Sequence, residues 1–359
     1  MLNKIETRKS SNVINYAVHQ LSNKRIHQSS FKPSWWATNR HVQTIYPRFF
    51  QKRIKVDIRH ERLPLPDGDF VNLAWLGDAK KASGLVVMFH GLEGSIKSHY
   101  ANDMAANLQQ QGYLVVLMHF RGCGGEQNLL PQTYHSGETR DAWYFINWLE
   151  QTFPDLPKVA MGFSLGANML LKLLGEQPQQ TVLSAAIAIS PPFRLEQCAL
   201  SINQGFSRLY QAYLLKSMLN KLLKKMQCIN YTGLLKINRA ETKALKNFRE
   251  FDEHVTAALF GFTGADDYYQ RSSAVHFMHK IQTPTLVLHA KDDPFMNERV
   301  LPNEDELSSE VRVELSDQGG HVGFMQGTPW RPVIWTHQRV NVFFADVLAN
   351  KKITTRLPK

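Results

Sequence analysis

The chain reads as an α/β protein: a mostly parallel sheet with helices on both faces and an inserted helical cap. Three observations predict this. Strand-sized apolar runs alternate with stretches of helical spacing over most of the sequence. The pentapeptide Gly162-Phe163-Ser164-Leu165-Gly166 sits between an apolar strand, Lys158-Val159-Ala160-Met161, and a helix-forming run that starts at Ala167. The alternation then breaks between Pro191 and Ile281, where the sequence is helix-rich and has no clear buried strand.

Taken in order, residues 1–55 read as an irregular arm, with the Trp35-Trp36 pair as an anchor packed on the domain. Residues 56–190 read as the first part of the core. Period-two alternation over residues 54–59 predicts a strand, Leu65-Pro66-Asp67-Gly68-Asp69 a turn, and residues 70–76 the hairpin partner. Residues 85–89, 113–119, 158–161 and 184–189 are apolar enough for buried strands. Residues 98–111, 139–151 and the run from Ala167 carry helical spacing between them. Residues 191–280 read as the cap. Within it, Leu214, Leu215, Met218, Leu219, Leu222 and Leu223 recur at helical spacing among Lys216, Lys221, Lys224 and Lys225. Residues 281–359 complete the core, with strands at 285–289 and 312–315 and a last helix at 335–350.

Composition narrows the class. With 359 residues, 43% hydrophobic and 20% charged, the chain can bury a substantial core. No apolar run approaches the roughly 20 residues that span a bilayer, and the N-terminus lacks the apolar core of a secretory signal. A cytoplasmic protein is expected. Cys123, Cys198 and Cys228 are too widely spaced for a disulfide framework or a Cys-x-x-Cys zinc site, and none of the 14 histidines forms His-Glu-x-x-His. No metal is expected. The net charge of +11 concentrates near the N-terminus (Lys24, Arg25, Lys32, Arg40, Arg48, Lys52, Arg53, Lys55) and in residues 216–249. The basic, Leu-rich residues 209–225 suit peripheral contact with an anionic membrane. Nucleic-acid binding would rest on net charge alone and is not expected.

Strand, sharp turn and helix make Gly162-Phe163-Ser164-Leu165-Gly166 a nucleophile elbow, with the Ser164 hydroxyl exposed on a strained turn. A serine needs a base, and the base needs an orienting acid, here in the chain order Ser, acid, His. After the strand at 285–289 comes Lys291-Asp292-Asp293-Pro294. After the next strand comes Gly319-Gly320-His321. His321 is the candidate base and Asp293 the candidate acid, favoured over Asp292. An acyl-transfer intermediate also needs oxyanion donors. The Leu165 N–H follows the nucleophile, and the Leu92 N–H lies in the loop His90-Gly91-Leu92-Glu93-Gly94-Ser95 after the first parallel strand. His90 reads as fixing that loop rather than as a second base. Arg121 and Asp141 are candidates for a buried ion pair. Phe206, Met218 and Phe260 are candidate apolar contacts for substrate.

These motifs together resemble the YheT-like branch of the α/β-hydrolases, the AB-hydrolase-4 family. The similarity also rests on Pro66-Asp67-Gly68-Asp69-Phe70, His119-Phe120-Arg121-Gly122-Cys123, Tyr134-His135-Ser136-Gly137-Glu138, Phe251-Asp252, Asp267-Tyr268-Tyr269 and Gly319-Gly320-His321-Val322-Gly323-Phe324. It spans about residues 33–346. It implies the α/β-hydrolase fold, a triad of Ser164, an Asp at 292 or 293, and His321, and hydrolysis of small-molecule or lipid carboxylic esters without a cofactor. Some eukaryotic relatives act on lipids or transfer acyl groups to alcohols. The same triad would serve acyl transfer to an alcohol. A third reading is a membrane-surface binding protein on a hydrolase scaffold.

Overall fold

Period-two burial on both faces organises the chain into one nine-stranded sheet between helical layers. The computed structural model describes residues 24–50 and 54–354. The sheet order among these residues is β1-β9-β8-β7-β6-β4-β5-β3-β2. Its strands are β1 (Ile26–Gln28), β2 (Arg59–Pro64), β3 (Phe70–Leu76), β4 (Leu85–Phe89), β5 (Leu114–His119), β6 (Lys158–Phe163), β7 (Leu183–Ile189), β8 (Thr285–Ala290) and β9 (Val311–Ser316). Pairing is parallel from β1 through to β5 and antiparallel at β5–β3 and β3–β2. β4 shows why its residues make a central strand. Leu85, Val87 and Phe89 pack into one layer, while Val86 and Met88 pack into the other. A strand covered on both faces reads as a continuous apolar run.

The helices are α1 (Arg40–Phe50), α2 (His99–Gln110), α3 (Arg140–Thr152), α4 (Leu165–Glu176), α5 (Leu195–Ile202), α6 (Ser207–Lys225) and α7 (Arg239–Ala244). α8 covers residues 248–260 through a π turn at Asp252–Thr256, and α9 (Ala265–Ser272) and α10 (Trp335–Thr354) follow. The chain runs from β4 outward to β5, then back past β4 to β6. Ligands in open α/β sheets bind at such a reversal, outside the carboxyl ends of the strands. Here those ends carry the His90 loop and Ser164.

The N-terminal segment departs from its expected irregularity. Residues 24–50 hold β1, a 3-10 turn at Trp35–Ala37 and α1. β1 is short and polar, so its sequence carries no period. Its place comes from partners far along the chain, since the Glu304 carboxylate accepts the Arg25 and Ile26 N–H groups at 2.8 and 3.0 Å. The Trp pair splits. Trp36 donates to the Gly327 carbonyl at 3.0 Å and packs on Tyr46, whereas Trp35 is exposed. Residues 1–23 of the expected arm, with Lys52 and Arg53 of its basic cluster, lie outside the described residues.

The first hairpin strand is displaced. Alternation predicted it over residues 54–59, but pairing with β3 begins at Arg59 and runs to Pro64. This is an edge strand whose side chains are mostly charged. Its apolar cover is supplied by guanidinium groups, with Arg59 over the Trp75 ring at 5.0 Å and Arg62 over Phe70 at 3.9 Å. A hairpin of β10 (Met325–Thr328) and β11 (Arg331–Ile334) was not expected at all. The Leu-rich stripe of α6, read as part of the cap and as suited to an anionic membrane, turns inward. Leu215, Leu219 and Leu222 are buried in a cluster with Tyr231, Phe251, Val255 and Leu259, so this stripe is not free for a membrane.

Two polar networks fix the loops at the carboxyl edge. Arg121, just after β5, binds Asp141 of α3 in a two-pronged contact at 2.6 and 2.7 Å and reaches Asp69 at 3.2 Å and Asp67 at 2.7 Å. The expected Arg121–Asp141 pair is present, and it also binds the β2–β3 turn. The second network joins the loops after β4 and β5. His90 Nε2 accepts the Phe120 N–H at 3.1 Å, and His119 Nε2 accepts the Ile96 N–H at 3.1 Å. The other ring nitrogens lie 2.7 Å from the Gly91 carbonyl and 3.0 Å from that of Asn72, which they serve as donors. Each ring must therefore be neutral. Burial depresses His90 to about 3 and His119 to about 4.

Asp141→Asn will leave Arg121 short of a charged partner. Breaking a buried pair outright costs about 3–5 kcal/mol, but Asp67 and Asp69 remain. A loss of about 2 kcal/mol is expected from urea unfolding, and an unchanged midpoint would refute the network's role. Acid should also destabilise the fold. His135, His289 and His337 are depressed to about 4 by burial, alongside His90 and His119. A histidine depressed in the folded state leaves the unfolded chain binding more protons. Its stabilisation is complete above about pH 6.5 and is lost as pH falls toward 4. Asp252, raised to about 7, and Asp103, raised to about 6, act in the opposite sense. Burial also lowers His41 and His276 and raises Asp141, Asp292 and Asp346. With seven depressed histidines against five raised acids, Tm should fall between pH 6.5 and 4.5 (about two units). A flat or rising Tm over that window would contradict the neutral-histidine network.

Candidate active site

Ser164 sits between β6 and α4 with φ 51° and ψ −118°, a conformation that costs an L-residue roughly 1–3 kcal/mol. The turn is held from both sides. The Ser164 N–H donates to the Ile189 carbonyl at 2.9 Å, and the Ser164 carbonyl accepts the Ala167 and Asn168 N–H groups that open α4. Glycine is required at two places by close approach. A Cβ on Gly166 would lie 2.5 Å from the His90 carbonyl, and one on Gly162 would lie 2.4 Å from the Gly166 carbonyl. α4 can therefore start directly against the carboxyl end of β4.

The sequence-separated Ser164, His321 and Asp293 are brought together. His321 Nε2 lies 2.9 Å from Ser164 Oγ, and His321 Nδ1 lies 2.7 Å from Asp293 Oδ2. Asp293 is buried, and its second oxygen accepts the Phe295 N–H at 2.8 Å. Asp292 does not reach the imidazole. It accepts the Gly320 N–H at 2.9 Å and so supports the loop that carries His321. The Phe295 ring stacks on His321 at 4.1 Å between centroids. Leu92 and Leu165 border the same cavity beside Ser164. Leu165 opens α4, and a first-turn N–H has no intrahelical acceptor.

Three supports of His321 were missed in the sequence. The His321 N–H donates to Thr44 Oγ1 at 2.9 Å, and that hydroxyl donates to the Arg40 carbonyl at 2.8 Å. Gln43 is fully buried. Its amide donates to Ala37 and Met325 carbonyls, and its oxygen accepts the Met325 N–H at 2.6 Å. Ser190 Oγ accepts the Val322 N–H at 3.1 Å. Ser190 follows a strand's carboxyl end, a position that could have marked it. Thr44 and Gln43 carried no such mark, because their contacts with the His321 loop span more than 270 residues of chain.

A cavity of about 180 Å³ opens beside Ser164. Leu195, Leu214, Met218, Leu259, Phe260 and Phe295 supply apolar wall. Of the expected contacts, Met218 and Phe260 line it. Phe206 does not, since it is exposed and packs against His41 at 4.5 Å between ring centroids. Charged groups also border the cavity. The Glu93 carboxylate accepts from Tyr134 Oη at 2.9 Å, from Ser217 Oγ at 2.6 Å and from Lys221 Nζ at 3.0 Å. Lys225, depressed to about 8 by burial, donates to Asn128 Oδ1 at 2.6 Å. Asp252, in the π turn, accepts from Thr256 and Tyr269 hydroxyls. Among the described residues, no group of three or more His, Cys, Asp or Glu could hold a metal ion, and no helix is long and apolar enough to cross a membrane.

Comparison with known proteins agrees with this architecture. Residues 84–328 match the family described as alpha/beta hydrolase fold. The chain is 43% identical to the Escherichia coli protein named Putative esterase YheT, over 90% of this chain and 95% of that protein. It is 28% identical to mouse Phospholipase ABHD3, over 86% of this chain and 75% of that one. The solved structure of the Pyrococcus furiosus esterase Pf2001 superposes with a TM-score of 0.53 at 17% identity, covering 82% of this chain and 92% of its own, a likeness of fold. With the elbow, the reversed strand order and the matched sequence span in hand, the chain belongs to the α/β-hydrolase family, among its YheT-like members.

Proposed function

We propose that the protein is a serine hydrolase of carboxylic esters that works through an acyl-enzyme. The observation that carries this is the hydrogen-bonded line from Ser164 Oγ through His321 to the buried Asp293, at 2.9 and 2.7 Å. In this reading Ser164 Oγ attacks the ester carbonyl while His321 Nε2 takes its proton. The Leu92 and Leu165 N–H groups hold the oxyanion. The C–O bond to the alcohol then breaks, and His321 returns the proton to the leaving alkoxide. Water next attacks the acyl-enzyme, with His321 again as base, and the acid leaves. Asp293 holds the Nδ1–H tautomer and stabilises the imidazolium.

The mainly apolar wall supports a substrate with a hydrocarbon acyl group, and the relatives named esterase and phospholipase support a small-molecule or lipid ester. Residues 191–280 act here as a cap over the carboxyl edge of a core built from residues 56–190 and 281–359.

Turnover of a p-nitrophenyl ester series from acetate to palmitate tests this directly. Wild type should hydrolyse one or more members, and Ser164→Ala should lose at least about 10⁴-fold in kcat. Near-wild-type turnover by Ser164→Ala would sink the proposal. The acid assignment has its own test. Asp293→Asn should cost about 10⁴-fold, while Asp292→Asn keeps most of the rate; the reverse order would exchange their roles. Thr44→Val removes an acceptor from the His321 backbone without touching the reacting atoms. A fall of about tenfold in kcat with little change in KM is expected. Unchanged kcat would mean that the loop is positioned without Thr44.

A further inference from the structure

We propose that the face formed by α1, the start of α6 and the β10–β11 hairpin is a docking surface for an anionic lipid bilayer. Large apolar side chains project there without cover. Phe49 and Phe50 are each 68% exposed and Trp330 is 76% exposed, with Phe206, Leu209 and Tyr213 more than half exposed beside them. They form one collar because their neighbours interlock. Arg48 donates to Tyr213 Oη at 2.6 Å, Tyr46 stacks on Phe50 at 4.7 Å, and Tyr46 Oη donates to the Pro329 carbonyl next to Trp330 at 2.6 Å. Contiguous apolar surface of this kind marks an interaction site.

Charge selects the occupant. The segments that build this face, residues 40–50, 206–216 and 325–334, contain no Asp or Glu. Arg40, Arg48, Arg208, Lys216 and Arg331 are exposed within them. Aromatic and aliphatic side chains ringed by cations match the boundary between acyl chains and anionic headgroups. A second copy of the chain would set cation against cation. A nucleic acid would leave Leu209 with nothing to pack on, since it has no ring for base stacking.

The face also adjoins the candidate active site. Tyr210 lies 3.0 Å from His41 of α1 and packs on Phe295, which stacks on His321. Leu214 and Met218 of the same α6 line the cavity. A bilayer on this face would lie against the outer side of the cavity wall. The proposal does not depend on the esterase reading, because its readout is binding.

The test is flotation of the full chain with vesicles of phosphatidylcholine alone and of phosphatidylcholine mixed with phosphatidylglycerol. Wild type should float with the mixed vesicles, and salt should reduce this. Phe49→Ser/Phe50→Ser and Trp330→Ser should each lower the bound fraction, together by about tenfold, with thermal unfolding unchanged as proof of folding. Arg48→Gln/Arg208→Gln should abolish the preference for phosphatidylglycerol. Wild type that stays unbound to both vesicle types overturns the proposal, as do folded aromatic variants that bind as well as wild type. Wild type that forms a dimer dispersed by these substitutions, without vesicle binding, also overturns it and makes the face a contact between copies of the chain.

Discussion

The site depends on how closely α4 starts against the end of β4. Gly166 leaves no room for a side chain between the first turn of the helix and the His90 carbonyl. That contact sets the strained backbone of Ser164 and brings the Leu92 loop beside it. The cost of the Ser164 conformation, roughly 1–3 kcal/mol, is small beside what holds it. Phe163 and Leu165 are buried on either side, and full burial of one such side chain is worth about 1.5–3 kcal/mol. The sheet reversal at β4 then leaves the space above this junction open for a ligand. His90 belongs to the same constraint. As a neutral ring joining the β4 and β5 loops, it is a support of the edge rather than a proton carrier.

His321 is held by a different logic, because its loop has no regular structure. Four residues from three segments far apart in sequence supply the anchors. Thr44 takes the His321 N–H, Asp292 takes that of Gly320, Ser190 takes that of Val322, and Gln43 brackets Met325. Each bond is modest alone, about 1 kcal/mol net. Together they fix a backbone that includes two non-glycine residues at positive φ, Val322 at 63° and Phe324 at 48°. The N-terminal segment is thus part of the site's frame. The adjacent acids divide the work, with Asp293 on the imidazole and Asp292 on the loop beneath it.

What the sequence made legible follows from which forces are local. Buried strands such as residues 85–89 need apolar side chains on both faces, so they stand out at their true bounds. The elbow is legible because strand, turn and helix are contiguous, and His321 and Asp293 because each follows a strand's end. What was missed depends on distant partners. β1 is three residues held by β9 and Glu304. β2 is an edge strand whose charged side chains hide its pattern, while the alternating residues just before it remain unpaired. The stripe of α6 has the period of a membrane-surface helix, and only the positions of Tyr231, Phe251 and Val255 decide that it faces inward. Periodicity reports that a face is buried, never against what.

The ionised groups at the cavity raise a question of energy. The Glu93 side chain is buried and that of Lys221 is 42% exposed, and such a pair gives little net stability, since desolvating the carboxylate offsets a screened attraction. Glu93 and Lys221 would then be poor choices if packing were their only task. Their geometry points elsewhere. Glu93 follows Leu92, adopts φ 56°, and binds Tyr134 on the core side and Ser217 and Lys221 on α6. Ser217 and Lys221 are one helical turn apart, so a single carboxylate reads the register of α6 along its axis. Moving α6 away from this loop would leave the buried Glu93 carboxylate with Tyr134 but without Ser217 and Lys221, at a cost well above that of sliding an apolar stripe. Leucine packing alone tolerates such slippage. The pair therefore ties the helix that walls the cavity to the loop that carries the Leu92 N–H. Wall and loop keep one spacing, although they belong to segments of the chain more than a hundred residues apart.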